Sequence, residues 1–96
     1  MKILAIEKEV SGKTKEQFKT SLKPEAKRVW ELYQAGIIRE IYFSKPLHNA
    51  VIILECTNEI EAREILNTLP LVEENLIDFD IIPLVPYDGF SRLFES

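Results

Sequence analysis

The sequence predicts an α+β domain of the ferredoxin-like type, in which two helices cover one face of a four-stranded antiparallel sheet. The first observation behind this prediction is the order of the apolar patterns. Short apolar runs typical of strands and longer stretches with helical spacing follow one another as β-α-β-β-α-β. The second is the hairpin-length connection at residues 45–49, between the two middle strands. The third is the length of 96 residues, which indicates a single domain over 1–96.

The first strand is predicted at residues 2–7, and the turn residues Ser11-Gly12-Lys13 follow it. Thr14 and Gln17 have the spacing of a capping box, so a helix is expected to begin there. Pro24 interrupts the helical pattern and leaves two interpretations. Either one helix has an irregularity near residues 20–24, which we favour, or the main helix begins at Pro24 itself. Gly36 is expected to end the helix as its C-cap.

The remaining elements follow from the same patterns. Thr57 or Asn58 is expected to cap the second helix and Pro70 to stop it. A loop is then expected at residues 71–75 and a turn at 86–89. The other three strands are predicted at residues 37–44, 50–56 and 76–85. An apolar tail, Phe90 to Phe94, ends the chain and needs a surface to pack against.

Alternation along the strands predicts a second apolar face, which the two helices cannot cover. Strict alternation in the second strand separates Ile37, Arg39, Ile41 and Phe43 from Ile38, Glu40 and Tyr42. The third strand is apolar on both faces. We expect a second copy of the chain to cover this face in a two-fold homodimer or a higher homo-oligomer. Alternatively, the tail folds back over it or reaches across to the other subunit.

Composition excludes several classes of protein. The chain is 46% hydrophobic and 29% charged, with a formal net charge of -4, which disfavours nucleic acid as a partner. No apolar run approaches the ~20 residues of a membrane span, and a cytoplasmic location is expected. One cysteine and one histidine cannot form an internal disulfide or a closed zinc site. Since the sequence also has no metal-ligand cluster and no glycine-rich phosphate loop, neither a metal nor another cofactor is expected.

A scattered set of residues resembles the muconolactone isomerase-like proteins of the dimeric α/β-barrel superfamily, including an uncharacterised bacterial branch. The resemblance covers roughly residues 22–89, and Leu-Pro-Leu before an acidic strand is its most distinctive part. The matching positions are Leu22-Lys23, Glu25, Gly36, Arg39, Leu69-Pro70-Leu71, Asp78, Asp80 and Pro86. The resemblance implies a dimeric α/β barrel with a pocket between the helices and the sheet of each subunit.

The resemblance also implies a set of candidate site residues. Glu25 would be the general base and Arg39 the clamp for a substrate carboxylate, while His48 is a possible proton carrier. Trp30, Tyr33 and Tyr42 are candidates for lining the substrate pocket. The implied reaction is a cofactor-free isomerisation of a small unsaturated lactone or aromatic-derived acid by proton transfer. We expect Glu25 and Arg39 to point into one cavity.

Each candidate also has a structural interpretation. Glu25 could simply favour the helix start or pair with Arg28, and Arg39 could pair with Glu55 or Asp80. His48 could be an inert loop residue, and the three aromatic residues could belong to the core. Cys56 is expected to be a buried apolar residue, and Asp78 and Asp80 to be solvated or paired with arginine. Two other functions therefore stay open: a non-catalytic ligand-binding or scaffold domain, and a cofactor-free monooxygenase.

Overall fold

In a computed structural model that describes residues 1–95, the chain forms a four-stranded antiparallel sheet with helices on one face. The strands are β1 (Lys2–Glu9), β2 (Ile38–Phe43), β3 (Ala50–Glu55) and β4 (Ile77–Leu84). The helices are α1 (Lys15–Lys19), α2 (Leu22–Gln34), α3 (Glu59–Leu66) and α4 (Pro70–Glu73), followed by a 3-10 helix at Gly89–Phe94. The strand order is β2-β3-β1-β4, with every neighbouring pair antiparallel. The predicted ferredoxin-like arrangement is confirmed.

The hydrophobic core lies between the covered face of the sheet and the two longer helices. Alternate residues of β1 and β3 point into it, and Ile3, Ala5 and Leu54 are completely buried. Leu32 of α2 and Leu66 of α3 pack against them. Burial of each large aliphatic side chain contributes about 1.5–3 kcal/mol, so this layer holds the helices on the sheet.

The first helical region is divided into two helices rather than forming the single irregular helix that we favour from sequence. α1 ends at Lys19 and α2 begins at Leu22, so the break falls within the expected region. Pro24 is the third residue of α2, and the N–H groups of a first helical turn have no helical partner. Its missing N–H therefore costs the helix nothing. Ser21, at the break, is buried and donates a hydrogen bond to the Glu74 carboxylate.

Gly36 ends α2, as the sequence predicts. The Gly36 N–H donates to the Tyr33 carbonyl at 3.1 Å, and the Ile37 N–H donates to the Leu32 carbonyl at 3.0 Å, which together form a Schellman motif. Gly36 has a φ of +79°, which a residue with a Cβ adopts only with strain. This turn directs the chain from the C-terminus of α2 straight into β2.

The second helix begins at one of its two expected caps and ends earlier than predicted. Asn58 is the N-cap, and its Oδ1 accepts a hydrogen bond from the Glu61 N–H at 2.9 Å. α3 ends at Leu66, and Pro70 begins α4 instead of stopping α3. The loop expected at residues 71–75 is therefore mostly a short helix, because proline is favoured as the first residue of a helix.

A β-bulge in β2 makes the predicted division of that strand wrong. Ile38 pairs with Leu54 and Glu40 with Ile53, so Arg39 is an extra residue without a partner in the register. The extra residue reverses the alternation that follows it. Ile41 and Phe43 consequently lie on the same face as Ile38, whereas strict alternation predicts that they lie on the opposite face from it.

The other face of the sheet and the C-terminal segment are not covered within the chain. Leu4, Ile6 and Ile53 on this face are partly exposed, and the tail does not fold back over them: Val85 is 81% exposed and Phe94 is 85% exposed. The radius of gyration is 15.9 Å, which exceeds the roughly 13 Å of a compact 100-residue domain. No helix among residues 1–95 is long and apolar enough to cross a membrane.

Candidate functional site

A cavity of about 850 Å³ lies between α2 and the covered face of the sheet. α2 and β2 supply most of its walls, and α1, α4, β1, β3, β4 and the β2–β3 connection supply the rest. Most of the lining is apolar, and aromatic side chains are prominent in it. The aromatic lining residues other than His48 are Phe18, Trp30, Tyr33, Tyr42, Phe43 and Phe79. Such a wall suits a small, flat and largely apolar molecule.

Helical spacing places the α2 side chains on this cavity. Intervals of three or four residues separate Leu22, Ala26, Val29 and Tyr33, so these side chains lie on one side of the helix. Trp30 and Tyr33 are stacked, with ring centroids 6.1 Å apart. Trp30 nevertheless stays 57% exposed, so this end of the cavity is open.

Glu25 places a carboxylate on the otherwise apolar α2 wall. Its Oε1 accepts a hydrogen bond from the Leu71 N–H of α4 at 2.9 Å. Burial raises the pKa of Glu25, the Leu71 hydrogen bond acts in the opposite direction, and the charge of Glu7 raises it further. A carboxylate with a raised pKa in a cavity is the usual form of a general base that works near neutral pH.

Glu7 is a second carboxylate of the cavity, which sequence reasoning did not identify as a candidate. Its Oε1 accepts a hydrogen bond from the Ala50 N–H at 2.7 Å. One signal was available in the sequence: Glu7 follows Ile3 and Ala5 at intervals of two residues, so it belongs to the face that the helices cover. An acidic residue on a covered face is unusual and therefore informative.

His48 borders the cavity from the β2–β3 connection. Its backbone is held in the left-handed region, with a φ of 54°, and its N–H donates to the Ser44 carbonyl at 2.9 Å. The imidazole stacks on Phe43, with ring centroids 4.0 Å apart. The tight turn therefore presents the one histidine of the chain to the aromatic end of the cavity.

Tyr42 also borders the cavity, although its hydroxyl group is already engaged. The hydroxyl donates to Glu40 Oε1 at 2.7 Å, and this hydrogen bond is the main cause of the raised pKa of Tyr42. Tyr42 lies on β2, which forms one edge of the sheet. Five of the six sequence candidates, all except Arg39, thus line one cavity: Glu25, Trp30, Tyr33, Tyr42 and His48.

Arg39 does not line this cavity. It is the extra residue of the β2 bulge, and its Nε donates to the Gly36 carbonyl at 2.7 Å. The N-terminal ammonium, which hydrogen-bonds to Glu55, is the main cause of the lowered pKa of Glu55, and the charge of Arg39 adds to it. The structure therefore does not bring Arg39 and Glu25 into one cavity, contrary to our expectation.

The other residues considered in the sequence, Cys56, Asp78 and Asp80, have structural roles. Asp78 pairs with Arg63 at 2.9 Å, and Lys8 lies 3.1 Å from Asp80. Cys56 is buried, as expected. Within residues 1–95, no group of three or more histidine, cysteine or acidic side chains is arranged to hold a metal ion.

Comparisons with known proteins identify the class of fold but no family. Searches against protein-family models and against curated proteins both give no match. Among solved structures, the chain is similar to 5-chloro-2-hydroxyhydroquinone dehydrochlorinase from Burkholderia phenoliruptrix AC1100, in complex with 2,5-dihydroxybenzoquinone. The TM-score is 0.65 at 13% identity, over 93% of this chain and 98% of the other. This likeness agrees with the ferredoxin-like fold described above.

Proposed function

We propose that this protein is an enzyme that moves a proton within a small, neutral, unsaturated ring compound, with Glu25 as the general base. The observation that carries the proposal is the position of Glu25. Its carboxylate lies on the wall of a largely apolar cavity, one oxygen is held by the Leu71 N–H, and burial raises its pKa. Burial makes the carboxylate a stronger proton acceptor, and the hydrogen bond orients it.

The proposed reaction is an allylic isomerisation, and its atoms balance without a further reactant. The Glu25 carboxylate takes a proton from the carbon between the carbonyl group and the double bond of the ring. The electron pair delocalises into an enolate, and the protonated Glu25 returns the proton to the far carbon of the former double bond. The double bond thereby moves into conjugation with the carbonyl group.

The lining supports a neutral ring rather than a carboxylate-bearing one. Among the described residues that line the cavity, the charged or readily charged side chains are Glu7, Glu25 and His48, and none is a lysine or an arginine. A substrate carboxylate would meet two acidic groups, and His48 is the one side chain that could oppose its charge. The aromatic residues offer stacking partners for a planar ring. The likeness to a dehydrochlorinase bound to a quinone supports a ring compound as ligand.

The proposal is tested with α-angelica lactone, a neutral unsaturated lactone. In D2O near neutral pH, proton NMR follows deuterium incorporation at the carbon next to the carbonyl group and formation of the conjugated isomer. We expect the protein to accelerate both processes over buffer. Glu25→Gln should reduce the acceleration by about 100-fold or more, because the amide cannot accept the proton.

Glu25→Gln keeps an oxygen for the Leu71 N–H, so folding should be retained, and circular dichroism checks this. Glu31→Gln is the matched control, because Glu31 lies on the same helix outside the cavity lining and pairs with Arg28. It should leave the rate unchanged. Acceleration that survives Glu25→Gln would refute the role of Glu25. Binding of the lactone without exchange in the wild-type protein would instead favour a non-catalytic ligand-binding domain.

We also infer that the protein works as a homodimer whose subunits meet through the uncovered face of the sheet. Leu4, Ile6, Val51 and Ile53 form a continuous apolar surface across β1 and β3, which neighbour each other in the sheet. The apolar tail, Phe90 to Phe94, is exposed as well. A second copy of the chain is the partner that removes both from water in a closed assembly.

A further inference from the structure

Glu7 is an acidic side chain on the face of β1 that contributes Ile3 and Ala5 to the core. Ile3 and Ala5, which share this face, are both completely buried, whereas Glu7 reaches the cavity. The Ala50 N–H hydrogen bond at 2.7 Å holds one carboxylate oxygen. The Glu7 carbonyl accepts a hydrogen bond from Asn49 Nδ2 at 2.9 Å. The backbone and the side chain of Glu7 are therefore both tied to the start of β3.

The titratable groups that line the cavity with Glu7 include no strong opposing partner for its charge. α2 contributes Glu25 and Tyr33, β2 contributes Tyr42, and the β2–β3 connection contributes His48. The described lining contains neither lysine nor arginine. A negative charge that faces a partly desolvated cavity acts over a longer range than the same charge in water.

We propose that Glu7 is a specificity-determining residue of this cavity, which makes the cavity accept neutral planar rings and discriminate against rings that carry a carboxylate. The inference deepens the proposed function, since it concerns the ligand of the same cavity, and it rests on that function for the site. A carboxylate that enters the cavity meets the charge of Glu7, which the Ala50 hydrogen bond holds in place. Juxtaposed like charges disfavour binding strongly.

The same charge also acts on Glu25. The charge of Glu7 adds to burial in raising the pKa of Glu25, while the Leu71 hydrogen bond lowers it. Glu7 would thus have two effects that arise from one charge: selection against anionic ligands and stronger proton affinity at Glu25.

The test compares benzamide with benzoate, which have nearly the same shape and differ in charge. Trp30 is the single tryptophan of the chain and lines the cavity, so its indole N–H cross-peak in a 15N–1H NMR spectrum reports on the bound ring. Titration of the uniformly labelled protein with each compound gives the two dissociation constants. We expect the wild-type protein to bind benzamide at least about tenfold more tightly than benzoate.

Glu7→Gln should reduce this ratio to about threefold or less, by strengthening benzoate binding while the affinity for benzamide stays the same. The amide oxygen can still accept the Ala50 N–H, so the variant should keep its fold and melting temperature. Glu9→Gln is the matched control, because Glu9 lies two residues further along β1 on the same face of the strand. Glu9 is exposed and does not line the cavity. It should leave the ratio unchanged.

A second measurement separates an electrostatic role of Glu7 from a merely structural one. The 13C chemical shift of the Glu25 carboxyl group, followed against pH, should show a lower pKa in Glu7→Gln than in the wild-type protein. An unchanged binding ratio, an unchanged Glu25 pKa, equal wild-type affinities or no binding of either ring would each overturn the proposal. Because these readouts do not involve turnover, failure of the isomerisation would leave them interpretable.

Discussion

At the residue scale, Glu25 shows how a side chain acquires a special chemistry from its surroundings. Its position on α2 and its neighbourhood of Leu22 and Val29 follow from helical spacing alone. Its raised pKa does not, because burial against the sheet is the largest cause and the Leu71 N–H opposes it from another helix. The sequence therefore predicts the carboxylate, and the packing of the helices determines its proton affinity.

Glu25 should make the stability of the protein depend on pH in a defined direction. Its pKa is raised from 4.5 in the folded state, so its contribution to stability is fully present below that pH and is lost as pH rises through the raised pKa. The free energy of unfolding of the wild-type protein relative to Glu25→Gln should therefore fall with increasing pH. Urea unfolding at several pH values measures it, with Glu31→Gln as control. A difference that rises with pH would contradict the prediction.

At the scale of elements, the sequence predicts the helix ends at Gly36 and Asn58 correctly and the division of β2 into two faces wrongly. Gly36 and Asn58 act through their own conformation or a neighbouring N–H, which are local properties. The bulge at Arg39 depends on the pairing of β2 with β3, which residues distant in sequence determine. Strict alternation therefore separates Ile38 from Ile41 and Phe43, which the structure places on the same face, and the resemblance names Arg39 for a cavity that it does not reach.

The N-cap of α3 provides a prediction at this scale. Asn58→Ala removes the acceptor of the Glu61 N–H, so the free energy of unfolding should fall by about 1 kcal/mol. Thr57→Ala is the neighbouring control, and its effect should stay within about 0.5 kcal/mol, because Thr57 is exposed and is not the cap residue. Chemical denaturation monitored by circular dichroism measures both. Equal losses for the two variants would show that the cap bond does not stabilise α3.

At the scale of the whole molecule, the dominant feature is apolar surface that the chain does not bury. The described chain has extents of 61 × 29 × 22 Å, which is elongated for a domain of this size. A small domain has a thin core and gains stability from association. The proposed homodimer therefore concerns stability as well as function.

The homodimer is tested by charge placed at the centre of the uncovered face. Ile53→Lys should convert a dimer into a monomer in size-exclusion chromatography with light scattering at micromolar concentration, because a buried lysine without a partner opposes association. Ile60→Lys is the matched control, since Ile60 is exposed on α3, on the helix side of the sheet. It should elute as the wild type does. A wild-type protein that elutes as a monomer would refute the dimer.

The amino-acid sequence predicts the order of the elements, the ferredoxin-like arrangement and the helix ends at Gly36 and Asn58, and with the family resemblance it names five of the side chains that line the cavity. Periodicity, capping and turn chemistry act over a few residues, so they can be read along the chain. The tertiary structure decided that Glu7 joins Glu25 and that Arg39 does not. Alternation places Glu7 on the covered face, but its meeting with Glu25 depends on packing between distant segments, and the position of Arg39 depends on the register of β2 with β3, which no local pattern records.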